Sequence, residues 1–333
     1  MTWLQGADQP LSELYDVALF DLDGVVYLGP SAVPGAPEHM AELRSRSVRI
    51  LYVTNNASRP PEAVVEHLDR LGIPSVVEDV VTSAQAAASM VADRVPKGSS
   101  VLVVGGEGLN AALRERGLVP VAKATDAPVA VVQGFHPDLS WRQLAEGAYA
   151  LATGIPWVAS NADLTLPTEG GVAPGNGALI ETLRIATSRS PVVAGKPEPP
   201  LFFEALSRSG GSRPLVVGDR LDTDIEGANA SDMPSLLVLT GVTDLALLVT
   251  APPKQRPTYV SADLGGLFVP HPAAELDGSV ARCGGWEASV EDKTVRLSGE
   301  GDRLDGARAM LAAAWAIPEP GDLDAAAALD QLG

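Results

Sequence analysis

The chain has 333 residues and a mass of 34.4 kDa, room for roughly two domains of ordinary size. It is 46% hydrophobic and 20% charged, with one cysteine, Cys283; this excludes a disordered chain, an intrachain disulfide framework and a multi-cysteine metal site. The formal charge of −18 argues against nucleic acid or anionic lipid as a partner.

A lone cysteine suits a reducing cytoplasm, which is the expected location. No apolar run approaches the length of about 18 residues that a membrane helix needs. The N-terminal residues show no basic stretch followed by an apolar one, so no secretory signal is expected.

Four segments share one pattern: a short apolar run that ends abruptly on a polar residue. Val17 to Phe20 runs into Asp21, and Ile50 to Val53 into Thr54. Val192 to Gly195 runs into Lys196, and Leu215 to Gly218 into Asp219. Fully apolar strands are buried on both faces, as in a parallel sheet between helices. Helices are expected at Pro61–Leu71 and Pro199–Ser209. Ligands of open α/β sheets bind at the carboxyl ends of the strands. Asp21, Thr54, Lys196 and Asp219 are therefore expected at one rim.

Between Thr54 and Lys196 lie 141 residues, too many for one crossover. Strands are expected there at Val101–Val104 and Val129–Val132, and helices at Glu107–Arg116 and Ser140–Ala152. The expected fold is an α/β, Rossmann-like parallel-sheet core with an inserted α/β cap and a small C-terminal α+β segment. The expected boundaries are 1–82 with 188–268 for the core, 83–187 for the cap and 269–333 for the tail. A lid over the catalytic rim is the natural use of such an insertion. In the tail, a hairpin around Asp292-Lys293 and an Ala-rich helix at Leu304–Ala316 are expected.

Asp21 and Asp23, two apart after a buried strand, can face one pocket. Gly24 lets the chain turn and bring backbone N–H groups to an anion. Two close carboxylates need a cation or a shared proton, and magnesium suits them; the same residues would equally make a solvated strand exit. Asp219 stands directly on a strand end and reads as a metal ligand. Asp222 reads as a helix cap, and Asp224 as support for the metal through water. Lys196 is aimed along the rim by the extended backbone that Pro197 favours. Thr54-Asn55-Asn56 offers a hydroxyl and two amides, for phosphate oxygens or for a turn.

In this order, Phe20-Asp21-Leu22-Asp23-Gly24-Val25, Thr54-Asn55-Asn56, Gly195-Lys196-Pro197 and Gly218-Asp219-Arg220-Leu221-Asp222-Thr223-Asp224 resemble the haloacid dehalogenase (HAD) superfamily. The match is to its type IIA phosphatases, whose cap lies between the hydroxyl and lysine motifs. Asn161-x-Asp163-x-x-x-Pro167, Pro174-Gly175-x-Gly177 and Leu237 to Val242 fit as well. The resemblance covers residues 14–265. It implies a magnesium-dependent phosphatase in which Asp21 attacks phosphorus and forms an aspartyl-phosphate. It makes Asp23 the general acid and base. It gives magnesium to Asp21, the Asp23 carbonyl and Asp219, with Asp224 outside them. It assigns phosphoryl binding to Lys196 and Thr54, with Gly24, Asn55 and Asn56 beside them. Asn161 and Asp163 are the candidates for reading the rest of the substrate. The implied substrate is a small phosphorylated metabolite, glycerol 3-phosphate first, with 2-phosphoglycolate and pyridoxal 5′-phosphate as alternatives. A phosphate-ester-binding regulator without turnover is the reading of another class. An assembly of identical copies is compatible with the sequence.

Two positions depart from the family pattern. His136 stands where many relatives carry a cap aspartate, and either meets substrate or is a loop residue. Asp232 stands where relatives usually carry glycine; Asp tolerates the left-handed conformation, so no change of fold is expected. Thr294–Leu297 followed by Arg303–Arg308 resembles the strand–loop–helix of coenzyme A-dependent acetyltransferases. Arg308 stands where their loop needs a small residue, so a structural or assembly role is expected of the tail.

Overall fold

The computed structural model describes residues 3–168, 170–318 and 320–333. The chain divides into two compact units, Met1–Leu51 with Ser209–Gly333, and Tyr52–Arg208.

The first unit is built on parallel strands in the order Tyr259–Ser261, Ser235–Val238, Pro214–Gly218, Val17–Phe20 and the start of Arg49–Thr54. Phe20 registers with Val217, and Val217 with Leu236. Val17–Phe20 is buried at every position, as a strand covered on both faces must be. Equal register places Asp21 and Asp219 one and two residues beyond the same level, on adjacent strand ends.

The tail belongs to this unit and shares its core. A four-stranded antiparallel sheet runs Glu275–Asp277, Val280–Cys283, Trp286–Glu291 and Thr294–Gly299. The expected hairpin turns at Asp292 and Lys293, whose φ values are 47° and 63°, as a two-residue hairpin turn requires. The helix Arg303–Trp315 is capped by Asp302, which accepts from the Leu304 and Asp305 amides at 2.9 and 3.3 Å. Its buried Ala307, Met310, Leu311 and Trp315 form one cluster with Ile225, Leu237, Leu248 and Val260 of the α/β part. The Trp315 indole donates to the Leu248 carbonyl at 3.2 Å. Arg256 donates to the Trp315 carbonyl at 3.2 Å, and its guanidinium lies 4.8 Å from the Trp3 ring centre and 5.2 Å from that of Trp315. Arg308 is buried, pairs with Asp305 at 2.8 Å and donates to the Val260 carbonyl at 3.2 Å. It thus places its charge inside the helix and core of this unit. Asp232 adopts φ 55°, the left-handed conformation expected of it.

The second unit carries the end of Arg49–Thr54 paired with Val80–Thr82, Thr54 opposite Thr82. Its own five-stranded parallel sheet runs Val192–Val193, Trp157–Ala159, Ala130–Gln133, Ser100–Val104 and Val119–Val121. Helices Glu107–Glu115, Trp141–Leu151 and Asn176–Thr187 accompany it. Ser140 opens the second of these with a capping box, its Oγ accepting from Gln143 N at 3.3 Å while Gln143 Oε1 accepts from Ser140 N at 3.0 Å. Here the structure corrects one expectation. The strand before Lys196 is not part of the sheet that carries Asp21 and Asp219; it is the edge of this second sheet. Only Val192 and Val193 pair, and Val192 is 56% exposed. An edge strand of apolar residues reads in sequence like a central one.

Candidate active site

In the first unit, the chain leaves Val17–Phe20 with Asp21 N donating to the Val217 carbonyl at 2.9 Å. The turn that follows is tight: Val26 N reaches the Leu22 carbonyl at 2.9 Å and Gly24 N the Tyr27 carbonyl at 2.8 Å. Gly24 has φ 86°, a region that side-chain-bearing residues avoid. A Cβ there would lie 2.4 Å from Asp219 Oδ2. Gly241 is as constrained, since its Cβ would lie 2.0 Å from the same oxygen. Both glycines leave room for the same oxygen of one carboxylate. Asp219 is fully buried. Val242 N donates to its Oδ2 at 2.7 Å, and Thr240 Oγ1 donates to the Gly24 carbonyl at 2.6 Å, closing the loop over it.

Asp224 is buried too, and its Oδ2 accepts from Arg220 N at 3.1 Å. Carboxylate oxygens of Asp21, Asp219 and Asp224 all lie within 4.8 Å of one another. Three carboxylates this close repel unless a cation or protons lie among them. An all-oxygen donor set fits a hard divalent ion such as magnesium. Asp224 thus lies beside the other two carboxylates, near enough to support a metal there through water as the sequence suggested. Asp23 contributes no carboxylate to this group; its side chain is exposed and its backbone bridges to Tyr27. Asp222 is exposed and forms a two-point pair with Arg220, at 3.0 and 2.8 Å, in place of the expected helix cap.

In the second unit, Thr54 closes its strand and is buried. Its Oγ1 accepts from Asn56 N at 3.1 Å, and Asn56 Oδ1 accepts from Ser58 N at 2.9 Å, so the segment is also a turn. Lys196 is buried, and its Nζ donates to the Val53 carbonyl at 3.2 Å. Asn55 Oδ1 accepts from Lys196 N at 2.8 Å, and its Nδ2 donates to the Lys196 carbonyl at 3.0 Å. Asn161 is buried; its amide donates to the Asn55 carbonyl at 2.8 Å and its Oδ1 accepts from Asp163 N at 3.2 Å. Both ends of Asn161 are therefore engaged by the protein. Asp163 accepts from Asn55 Nδ2 at 3.2 and 3.3 Å. His136 is half-buried; its Nδ1 accepts from Asp138 N at 3.2 Å, and its ring lies where a Gly106 side chain would be.

Sequence reasoning assigned no role to Thr240, Gly241, Ser83 or Asn176. Ser83 Oγ donates to the Asn55 carbonyl at 2.7 Å, and Asn176 Nδ2 to the Asn161 carbonyl at 2.7 Å. Thr240 and Gly241 left a signal inside Leu237–Val242, and Asn176 inside Pro174–Gly177; Ser83 left none.

Comparison with known proteins identifies the family. Residues 18–119 match a model of haloacid dehalogenase-like hydrolases, and residues 193–267 a HAD-hydrolase-like model. Residues 283–333 match a GCN5-related N-acetyltransferase-like domain. The chain is 45% identical over 314 residues to the D-glycerol 3-phosphate phosphatase of Mycobacterium tuberculosis, covering 92% of this chain and 87% of that protein. It is 38% identical over 252 residues to an acid sugar phosphatase of Staphylococcus aureus, covering 75% and 95%. The crystal structure of the M. tuberculosis glycerol phosphate phosphatase in complex with magnesium superposes with a TM-score of 0.89 at 42% identity, covering 98% of this chain and 99% of that one. With relatives this similar along almost its whole length, the chain belongs to the haloacid dehalogenase-like hydrolases and is a phosphatase of that family.

Proposed function

We propose that the chain hydrolyses small phosphate monoesters, glycerol 3-phosphate foremost, through an aspartyl-phosphate on Asp21. The observation that carries this is the group of Asp21, Asp219 and Asp224 carboxylates within 4.8 Å of one another, the first two just beyond adjacent strand ends and the third in the helical turn that follows. The substrate named for the 45%-identical relative supports glycerol 3-phosphate. Magnesium, held by these carboxylates and the Asp23 carbonyl, would supply charge neutralisation for the phosphoryl group.

The remaining chemistry falls to this chain's own side chains. An Asp21 oxygen attacks phosphorus; the ester P–O bond breaks as the Asp21–P bond forms. Asp23, exposed next to a tight turn, gives its proton to the leaving alkoxide. Water then attacks the aspartyl-phosphate, Asp23 takes its proton, and Asp21 leaves as the carboxylate. The Lys196 ammonium and the Thr54 hydroxyl hold the phosphoryl oxygens that do not react, with Gly24, Asn55 and Asn56 shaping the backbone around them. The insertion 83–187 selects the alcohol part, because the core groups read phosphate only. The site is assigned to a cytoplasmic protein with no nucleic-acid partner, consistent with one buried cysteine and the negative charge. Among the described residues, no helix is long and apolar enough to cross a membrane.

Phosphate release from a panel of monoesters, with magnesium and with chelator, tests this on wild type and Asp21→Asn. Release that requires magnesium and Asp21 and is fastest with glycerol 3-phosphate is the expected result. Turnover by a folded Asp21→Asn protein would sink the mechanism. A preference for 2-phosphoglycolate or pyridoxal 5′-phosphate would move the substrate. Binding of esters without turnover would make the chain a regulator.

A further inference from the structure

Asn55 is held at every polar atom that its side chain and carbonyl offer. Its amide pairs with both peptide groups of Lys196, Oδ1 to the N–H at 2.8 Å and Nδ2 to the carbonyl at 3.0 Å. This is how a neighbouring β-strand would grip the residue, supplied here by one side chain 141 positions away. Nδ2 also reaches the Asp163 carboxylate at 3.2 and 3.3 Å. The Asn55 carbonyl accepts from Asn161 Nδ2 at 2.8 Å and from Ser83 Oγ at 2.7 Å. The approach needs Gly195, where a Cβ would lie 2.5 Å from Asn55 Oδ1.

We infer that Asn55 is a positioning residue: it fixes the Lys196 main chain, and Asp163 acts through Asn55 rather than on substrate. With both flanking peptides pinned, the Lys196 side chain leaves the backbone in one direction, and its Nζ settles on the Val53 carbonyl at 3.2 Å, one residue before Thr54. Phosphoryl transfer depends on such placement, and an error of about 1 Å can cost about 100-fold in rate. Asp163 accepts from Nδ2 and so holds the amide in the orientation that presents Oδ1 to Lys196 N. A loop read from sequence as a substrate contact thereby becomes a support of the phosphate-binding lysine.

This rests on the phosphatase reading, and the test separates the two. Wild type, Asn55→Ala, Asp163→Ala, the double variant and Asp163→Asn are assayed with p-nitrophenyl phosphate. Inorganic phosphate serves as inhibitor, and magnesium is titrated in each. Asn55→Ala is expected to lower kcat and weaken phosphate inhibition, each by about ten-fold or more, with half-saturating magnesium unchanged. Asp163→Ala should follow in the same direction, and the double variant should be no worse than Asn55→Ala, as for two residues acting through one contact. Asp163→Asn keeps an acceptor for Nδ2 and should restore most of the loss. Losses that multiply in the double variant, or an Asp163→Asn protein as impaired as Asp163→Ala, would put Asp163 on the substrate and overturn the inference. So would an Asn55→Ala enzyme with wild-type constants. If Asn55→Ala fails to fold, as its melting curve would reveal, the two Asp163 variants decide by the same criterion. If wild type hydrolyses no ester, the phosphatase reading falls; calorimetric binding of inorganic phosphate to the same proteins still decides the role of Asn55.

Discussion

The carboxylates of the first unit and the amide network of the second differ in what surrounds them. Around Asp219 the chain supplies space and backbone: two glycines that leave room, one amide on Oδ2, and two further acids within reach. Around Asn55 it supplies side chains, each finding another protein group. Crowded negative charge calls for a cation from outside. A satisfied network asks for nothing and holds a shape. The first arrangement is built to receive a guest, the second to hold a lysine.

That division can be broken, and the most severe test is Lys196→Met. Loss of the ammonium should cut kcat by about 100–1,000-fold, as when one preorganised donor to a reacting oxyanion is removed. Half-saturating magnesium should stay near wild type; a matching rise would mean that the two clusters do not work separately. Gly241→Ala is the converse experiment. Its new methyl meets Asp219 Oδ2, so magnesium affinity should fall by about 10–100-fold while phosphate inhibition holds. Equal affinity would show that the loop gives way and that the glycine is incidental.

The smallest effect is expected where the tail meets the sheet, and it sharpens the comparison as a control. His271 is buried against Tyr259, with Nε2 on the Gly266 carbonyl and Nδ1 facing Arg308 at 3.4 Å. Burial first, and the Arg308 charge with it, hold its pKa below 6.5. The unfolded chain therefore binds the extra proton, so the stability His271 contributes is present above about pH 6.5 and is lost as pH falls through its folded value. His271→Gln should flatten the fall in melting temperature between about pH 7 and pH 5 and move neither the magnesium nor the phosphate constant. An unchanged slope would assign the acid sensitivity elsewhere.

Much of the first cluster could be read from sequence because Asp21 and Asp219 each stand at the end of a buried apolar strand, and register does the rest. How near Asp224 comes to the other two could not be read, because the turn that brings it back, with Asp224 N on the Arg220 carbonyl, leaves no periodic trace. The strand before Lys196 was misassigned since two edge valines look like a core run. The wiring of Asn55 was invisible for a different reason: its partners lie 28 to 141 positions away, and an Asn-Asn pair after a strand reads equally as a turn, which it also is.

The continuity of the two units also sets an order of events during synthesis. Tyr52–Arg208 is one unbroken stretch and leaves the ribosome whole, whereas the first unit is split, with its second part beginning at Ser209. Domains generally fold as they emerge, so the lysine and its clamp can form while Val17–Phe20 still awaits Pro214–Gly218, the strand that pairs with it. Asp21 meets Asp219 and Asp224 only after that strand arrives. The nascent chain thus carries no assembled acidic cluster until about two-thirds of it has been made.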